Sequence, residues 1–193
     1  MDENDARAVR RAAFRLLFAE GRPVPLAAVA GALGRDETAV RGEVEQMEAR
    51  GMLRRLADGC VVGAGGLSLM PTRHEVQVDE KRFWTWCAYD AFGILGALGR
   101  GGTVTSTSPL TGRVLEARFE GAVPTDPVLA VFLATLSGCR SIVDDWCPRN
   151  NLFEDLEAAR RWAAEQDIEG TALGVVETAE VGAARWREMF AAP

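Results

Sequence analysis

The chain has 193 residues, of which 48% are hydrophobic and 26% are charged, and its formal net charge at pH 7 is −6. This composition is typical of a soluble globular protein with one or two domains. The acidic balance argues against a protein whose main task is to grip phosphate backbones, because that affinity comes from accumulated positive charge.

The opening residues, MDENDARAVRR, are too charged for a signal peptide, and no apolar run is long enough to span a membrane. We therefore expect a cytoplasmic protein without a membrane partner.

The first third of the chain predicts three helices and a hairpin. Apolar residues recur at helical spacing from Asp5 to Glu20, and PLAAVAGALG predicts a second helix that ends at Gly34. Asp36 is the expected N-cap of a third helix, and the Asp-Gly in LADGCVV predicts a hairpin turn.

Three helices and a hairpin indicate a winged-helix-like module over residues 1–65. Such a module could bind DNA through its third helix or serve as a structural cap. Residues 1–60 contain ten arginines and ten acidic residues, and the third helix itself carries four glutamates. An acidic helix repels phosphates, so we expect the structural role.

Residues 66–193 predict an α+β domain. LSLMPTRHEVQVD is expected to form a strand, KRFWTWCAYDAFGILGALG a buried helix that ends at Gly99, and GTVTSTSPLTGRVLEARFE a β-hairpin that turns at PLTG. PVLAVFLA predicts another strand, NLFEDLEAARRWAAEQ an amphipathic helix that begins at Asn151, and GTALGVVETAEVGAARWREMF a strand followed by the last helix. This order favours a mainly antiparallel sheet with flanking helices.

The segment FWTWCAYDAFGILG places two ionisable residues among apolar ones. On the predicted helix, Cys87 and Asp90 share a face because they are three positions apart. Burial would raise the pKa of Asp90 and make it a candidate proton carrier, and the thiol of Cys87 suits a soft metal. The alternative is that Cys87 is a small buried hydrophobe and that Asp90 caps the helix or faces solvent. The expected low-dielectric walls are the neighbouring aromatic side chains Phe83, Trp84, Trp86, Tyr89 and Phe92.

A second cysteine lies in DWCPRNNLF, which is rich in turn-forming residues. Cys147 is expected on a loop, where site residues often lie. Two thiols and one carboxylate would form a site for a soft, thiophilic ion. Cys60 and Cys139 are expected to be structural, and all four cysteines are expected to be reduced thiols.

In the order of these motifs the chain resembles the organomercurial lyases, also called alkylmercury lyases. A helical N-terminal region precedes FWTWCAYDAF, which matches the family's Trp-Cys-Ala-x-Asp segment. VTSTSPLTG matches a strand and a turn that ends in Thr-Gly, and DWCPRNNLF matches an aromatic-Cys motif. A helix with RRW and the sequence EGTALGVV follow. The resemblance covers most of residues 5–190, and WCAYD is its most specific part.

The resemblance implies a function and a site. Cys87 and Cys147 would be the two mercury-binding thiols, and Asp90 would carry the proton. The implied reaction is protonolysis of a carbon-mercury bond, which yields a hydrocarbon and Hg(II) held by two sulfurs without an organic cofactor. Small thiols are the expected cosubstrate, a mercuric reductase is a candidate recipient of Hg(II), and nucleic acid is not an expected partner.

Three positions depart from the family pattern. Ser108 stands where family members commonly have a structural cysteine. Pro148 and Arg149 replace a cysteine and a histidine after the second site cysteine, and they would alter the rim of the site. His74 and Tyr89 are expected to be packing residues.

Two other functions remain open at this point. The thiols could hold a soft ion in a metal-binding or metal-sensing protein whose winged-helix-like part contacts DNA. Alternatively, the chain could be a lyase-fold homologue that acts on a substrate other than a mercurial. The changed residues Pro148 and Arg149 lie where such a difference in substrate would arise.

Overall fold

The computed structural model of the chain describes residues 3–191 as helices packed on two antiparallel sheets. The helices are α1 (Glu3–Glu20), α2 (Leu26–Leu33), α3 (Glu37–Ala49), α4 (Ala88–Leu98), α5 (Leu156–Glu165) and α6 (Val175–Phe190). The strands are β1 (Leu53–Arg55), β2 (Val61–Ala64), β3 (Leu67–Ser68), β4 (His74–Val78), β5 (Lys81–Thr85), β6 (Gly102–Thr107), β7 (Val114–Glu120), β8 (Val123–Pro124), β9 (Ala130–Ala134), β10 (Leu152–Phe153) and β11 (Gly170–Gly174). The expected α+β class with antiparallel sheets is confirmed.

The predicted N-terminal helices and hairpin are present, and local signals explain their limits. Gly34 ends α2 in the left-handed conformation, with φ 62°. Asp36 caps α3, where its carboxylate accepts hydrogen bonds from the backbone N–H groups of Thr38 and Ala39. β1 and β2 then pair antiparallel on either side of the Asp-Gly turn.

The larger sheet continues across the expected domain boundary. Its strand order is β1-β2-β3-β5-β4-β6-β7-β8, and the second sheet has the order β10-β9-β11. One buried apolar cluster contains Val9 and Phe14 of α1 together with Phe83 of β5 and Phe153 of β10. Both the winged-helix-like nature of residues 1–65 and a boundary after residue 65 stay predictions.

The predicted helix over KRFWTWCAYDAFGILGALG is wrong in its first half. Residues Lys81–Thr85 form strand β5, which pairs with β4, and the helix begins only at Ala88. Phe83 and Thr85 are buried while the intervening Trp84 is only half-buried, which is the two-residue period of a strand. The predicted end at Gly99 is confirmed, with φ 67°.

Two further boundaries differ from the prediction. LSLMPTRHEVQVD forms two strands, β3 and β4, because Pro71 lies between them and cannot donate to a ladder. The helix expected from Asn151 begins at Leu156, after strand β10. Asp155 is its N-cap and accepts a hydrogen bond from the backbone N–H of Ala158 at 2.7 Å.

Small residues bring α4 and α6 into close contact. A Cβ at Gly182 would lie 2.7 Å from the Cα of Gly93, and a Cβ at Gly93 would lie 2.3 Å from the ring of Trp186. This contact places the middle of α4 against the middle of α6. Within residues 3–191, no helix has the length and apolar character that a membrane crossing requires.

Candidate active site

Cys87 lies where strand β5 ends and helix α4 begins. It is the N-cap of α4, in extended conformation, and not a residue inside the helix as predicted. The Thr85 hydroxyl donates to the carbonyl of Cys87 at 2.9 Å, and the Ala88 N–H donates to the carbonyl of Asn150 at 3.0 Å. These bonds join the start of α4 to the segment that carries the second cysteine.

Asp90 lies in the first turn of α4, three residues after Cys87. Negative charge is favoured at a helix N-terminus, where backbone N–H groups are unpaired. The carboxyl group is nevertheless buried, with 5% of the residue exposed. The alternative that Asp90 faces solvent is therefore wrong, and the residue at the N-cap of α4 is Cys87 rather than Asp90.

Cys147 begins a short 3-10 helix, Cys147–Arg149, that follows a single π-helical turn. The segment is thus more ordered than the predicted loop. The side chain of Asn150 fixes it, because its amide donates to the carbonyl of Trp146 at 2.7 Å and its oxygen accepts from the N–H of Ala134 at 2.7 Å. The indole N–H of Trp146 donates to the carbonyl of Ala134 at 2.8 Å. Strand β9 therefore holds Cys147 in place.

The three predicted site residues converge in space. The sulfurs of Cys87 and Cys147 and a carboxylate oxygen of Asp90 all lie within 4.8 Å of one another. The Cys147 sulfur is 4.0 Å from Oδ2 of Asp90. All three side chains are buried. Such a set of one hard and two soft ligands suits a thiophilic ion beside a proton carrier.

Burial raises the pKa of Asp90 to about 6. A hydrogen bond with Cys87 and the positive charge of Arg185 oppose this rise in pKa, because both favour the carboxylate. At neutral pH the carboxylate therefore predominates, but only by a small margin in free energy. Asp90 can accept a proton and return it under the same conditions.

The two thiols are held in their neutral form. Burial is the main cause that raises the pKa of Cys87 well above its usual value, and the neighbouring Cys147 and Asp90 add to it. A hydrogen bond with Cys87 lowers the pKa of Cys147, but burial and the charge of Asp90 outweigh it, so this pKa is also raised. Loss of either proton must then be coupled to binding of a cation.

A cavity of about 430 Å³ opens beside this cluster, and Asp90 is part of its wall. The other lining residues are three tryptophans, two glycines, three aliphatic or thioether side chains and five charged ones: Trp86, Trp146, Trp186, Gly65, Gly66, Met52, Ile142, Met189, Arg7, Arg10, Arg11, Arg185 and Glu188. The tryptophans and the other apolar lining residues are buried or half-buried, whereas the four arginines are half-buried or exposed and therefore form the rim.

Only part of the expected aromatic wall is correct. Of the five aromatic residues predicted from the sequence, Trp86 lines the cavity. Tyr89 packs edge-on against Trp146 and Trp186, whereas Phe92 packs on Phe119 elsewhere in the core. Trp146 precedes Cys147 and could have been found from that motif. No local signal marks Trp186 or the arginines.

The three positions that depart from the family pattern lie in two separate segments of the chain. Ser108 is buried, and its hydroxyl donates to Glu154 at 3.1 Å, so this position has a structural contact without a cysteine. Pro148 and Arg149 are exposed and follow Cys147 directly. The carbonyl of Pro148 accepts a hydrogen bond from the Asn151 amide at 2.8 Å.

The remaining candidates lie outside the cluster. His74 is buried, its Nδ1 is 2.7 Å from the Ser106 hydroxyl, and burial lowers its pKa to about 3, so it stays neutral. Cys60 and Cys139 are half-buried free thiols, and neither belongs to the cluster. A structural role for these two cysteines stays a prediction.

Comparison with known proteins places this geometry in a family. A family model for alkylmercury lyase matches residues 67–187. An alkylmercury lyase from Streptomyces lividans is 31% identical over 169 residues, which cover 86% of this chain and 76% of that protein. An alkylmercury lyase from Staphylococcus epidermidis is 30% identical over 171 residues, with the same two coverages.

The fold is also similar to that of a solved structure, the mercury-bound form of MerB2. The TM-score is 0.85 at 19% sequence identity, and the match covers 99% of this chain and 93% of that one. The family model matches most of the chain, and the two relatives are 31% and 30% identical over 76% of their own length. These two findings establish the relationship. The chain belongs to the alkylmercury lyase family.

Proposed function

We propose that the chain is an organomercurial lyase that cleaves a carbon-mercury bond by protonolysis at Cys87, Asp90 and Cys147. The observation that carries the proposal is the convergence of two buried thiols and one carboxyl group within 4.8 Å beside a cavity with tryptophan walls. Each part has a chemical task. Sulfur holds a soft metal, the carboxyl group moves a proton, and the apolar walls accept an organic group.

The substrate is written R–Hg–X, where R is the organic group and X is a thiolate from a small thiol. In the first step, mercury exchanges X for a protein sulfur. One thiol, which we assign to Cys87, loses its proton as its sulfur bonds to mercury. The Asp90 carboxylate accepts a proton, and X leaves as a thiolate. The raised pKa of Cys87 means that this thiol is not ionised beforehand, so a nearby base is required.

In the second step, the sulfur of Cys147 adds to the same mercury. The proton of Cys147 is taken up, directly or through a small thiol, by the thiolate X that left in the first step, which gives HX. With two sulfurs bound, mercury carries more electron density and the carbon-mercury bond weakens. Asp90 then transfers its proton to carbon, which leaves as R–H. The balance is one R–Hg–X and two thiols on one side, and R–H, HX and Hg(II) bound by two thiolates on the other.

The surroundings of Asp90 suit this role. A carboxyl group with a pKa of about 6 is a stronger base than an ordinary aspartate and can also act as an acid near neutral pH. Burial excludes water, which would otherwise compete with carbon for the proton. The proposed steps use side chains of the chain alone and need no organic cofactor.

Small thiols are the proposed cosubstrate, since they can supply X and can remove Hg(II) from the two cysteines by exchange. A mercuric reductase is a candidate recipient of the Hg(II). We further propose a cytoplasmic location, where thiols are kept reduced. Both site cysteines must be free thiols for the reaction to begin.

The test is hydrocarbon release from methylmercury or phenylmercury in the presence of excess small thiol. We expect release by the wild type and loss of at least about a hundredfold in Cys87→Ser, Cys147→Ser and Asp90→Ala. Cys60→Ser and Cys139→Ser are matched controls that should retain the activity. A wild type that binds Hg(II) without releasing hydrocarbon would indicate a metal-binding protein instead.

A further inference from the structure

The rim of the active-site cavity carries a cluster of four arginines. Arg7, Arg10 and Arg11 lie at positions i, i+3 and i+4 of α1 and so share one face of that helix, and Arg185 projects from α6. The acidic residues of the cavity wall are Asp90 and Glu188. A chain with a net charge of −6 thus places its basic residues in excess at the mouth of its site.

Within the cluster, Arg10 has a lowered pKa and a buried nitrogen atom. It is half-buried, and in the described part of the chain its Nε is buried without a hydrogen-bond partner. Burial and the positive charges of Arg185 and Arg7 lower its pKa, while Glu188 opposes that change. Arg185 and Arg7 thus disfavour the charged form of Arg10, and an anion bound beside Arg10 would offset their repulsion and accept a hydrogen bond from its Nε.

The shape of the cavity limits which anion fits. Arg185 is stacked on Trp186, with its guanidinium carbon 5.6 Å from the ring centroid, so the rim cations adjoin the apolar wall. An anion that binds there must have an apolar body that contacts tryptophan and a charged end that reaches the rim. Guanidinium groups match the planar geometry of a carboxylate particularly well.

We propose that the arginine cluster, Arg7, Arg10, Arg11 and Arg185, is a carboxylate subsite of the active-site cavity. It binds a carboxylate that enters with the mercury, either on the organic group or on the thiol ligand X. The inference rests on the proposed lyase function, because it names the substrate class of that same site. Asp90 is buried whereas the other charged residues of the cavity wall are half-buried or exposed, so a carboxylate held by the arginines orients the carbon-mercury bond toward Asp90.

A kinetic test separates the two sources of the carboxylate. Hydrocarbon release is measured for 4-carboxyphenylmercury and phenylmercury, each with mercaptoacetate or with 2-mercaptoethanol as the thiol. We expect the KM of the wild type for the mercurial to be about three- to tenfold lower when the carboxylate is present, on the organic group or on the thiol, than when both are neutral. This is the size of a charge-assisted contact at a half-exposed site. A preference that follows the organic group assigns the carboxylate to R, and one that follows the thiol assigns it to X.

The variants test whether the cluster causes this preference. Arg10→Gln should reduce the KM ratio between the neutral and carboxylated partners toward one, and Arg10→Lys should retain part of it. Arg161→Gln removes the same charge from an exposed position on α5 and should keep the wild-type ratio. A wild type without preference, or equal ratios in Arg10→Gln and Arg161→Gln, would overturn the proposal even if hydrocarbon is released.

A binding test without mercury keeps the result independent of catalysis. Benzoate and benzamide are titrated against the wild type, and quenching of the fluorescence of the cavity tryptophans is measured. We expect benzoate to bind more tightly than benzamide, and this difference to disappear in Arg10→Gln but not in Arg161→Gln. If neither the wild type nor any variant releases hydrocarbon, tighter binding of benzoate than of benzamide would still support the carboxylate subsite. Equal binding of benzoate and benzamide by the wild type would overturn the subsite.

Discussion

Gly66 and Asp90 are in such close contact that a side chain at position 66 would overlap the carboxyl group. A Cβ built on Gly66 would lie 2.6 Å from Cγ of Asp90. Gly66 has φ +90°, and its carbonyl accepts a hydrogen bond from the backbone N–H of Trp86 at 2.9 Å. The turn between β2 and β3 therefore lies directly against the carboxyl group of Asp90.

Gly66→Ala should abolish most hydrocarbon release because the added methyl group displaces Asp90. Gly59→Ala is a matched control, since Gly59 has a similar φ of +87° but nothing within 4 Å of the added Cβ. Both variants should lose about 1–2 kcal/mol in the free energy of unfolding through backbone strain. Thermal unfolding and activity are measured together. Equal activities in the two variants, both folded, would show that the contact with Asp90 does not matter.

The rate of the proposed reaction should depend on pH through Asp90. Since burial raises its pKa to about 6, the carboxylate that accepts the first proton is lost as the pH falls below that value. We expect kcat/KM for phenylmercury to rise between pH 5 and pH 7 with a midpoint near 6. Asp90→Asn lacks the base of the first step and the proton donor of the second, so it should release no hydrocarbon at any pH between 5 and 7. A profile that is flat across this range in the wild type would contradict the role of Asp90 as the base.

Stability should reveal two opposing titrations. The folded pKa of His74 is about 3 against an ordinary value of 6.5, so the unfolded state takes up a proton first and stability falls as the pH decreases below 6.5. The folded pKa of Asp90 is about 6 against 3.8, so the folded state takes up a proton first and stability rises as the pH decreases from 6 to 3.8. In the wild type these two effects largely cancel over that range.

Asp90→Asn should therefore expose the contribution of His74. We expect its free energy of unfolding to fall by about 1.4 kcal/mol per pH unit between pH 6 and pH 5, whereas the wild type changes much less. Urea unfolding at pH 7, 6 and 5 measures both slopes. Adding His74→Gln to Asp90→Asn should remove the slope, and an unchanged slope in this double variant would assign it to other groups.

The four cysteines should divide into two pairs by reactivity. Cys60 and Cys139 are half-buried and should react with a chromogenic disulfide first, whereas Cys87 and Cys147 are buried with raised pKa values and should react slowly. A single turnover with phenylmercury in the absence of small thiol should remove the slow pair from the titration. Loss of a fast-reacting thiol in that experiment would place mercury elsewhere.

Much of the site could be predicted from the sequence because its signals are local. The segment WCAYD places Cys87 and Asp90 three residues apart in apolar surroundings, and this is enough to predict a shared location and a raised aspartate pKa. Gly34 ends α2 and Asp36 begins α3, in each case through interactions within a few residues. The antiparallel α+β class likewise follows from periodicity and turn residues along the chain.

Other features depend on contacts between distant parts of the chain, which no local pattern encodes. Cys147 meets Cys87 because Asn150 links strand β9 and the start of α4 through its side chain and its carbonyl. The apolar pattern predicts one helix over the aromatic run, but pairing with β4 makes the first half of that run a strand and leaves Cys87 as the N-cap of α4.

The amino-acid sequence by itself determined the reactive groups of this protein, since two thiols and a carboxyl group near aromatic residues already define the chemistry of a thiophilic ion. Only the tertiary structure decided what surrounds them. The packing of α6 on α4 and of α1 on α6 brings Trp186 and the arginine cluster to the cavity, and the turn at Gly66 lies against Asp90. Burial and the approach of charges from other elements, which set the pKa values and the shape of the site, arise only when those elements pack together.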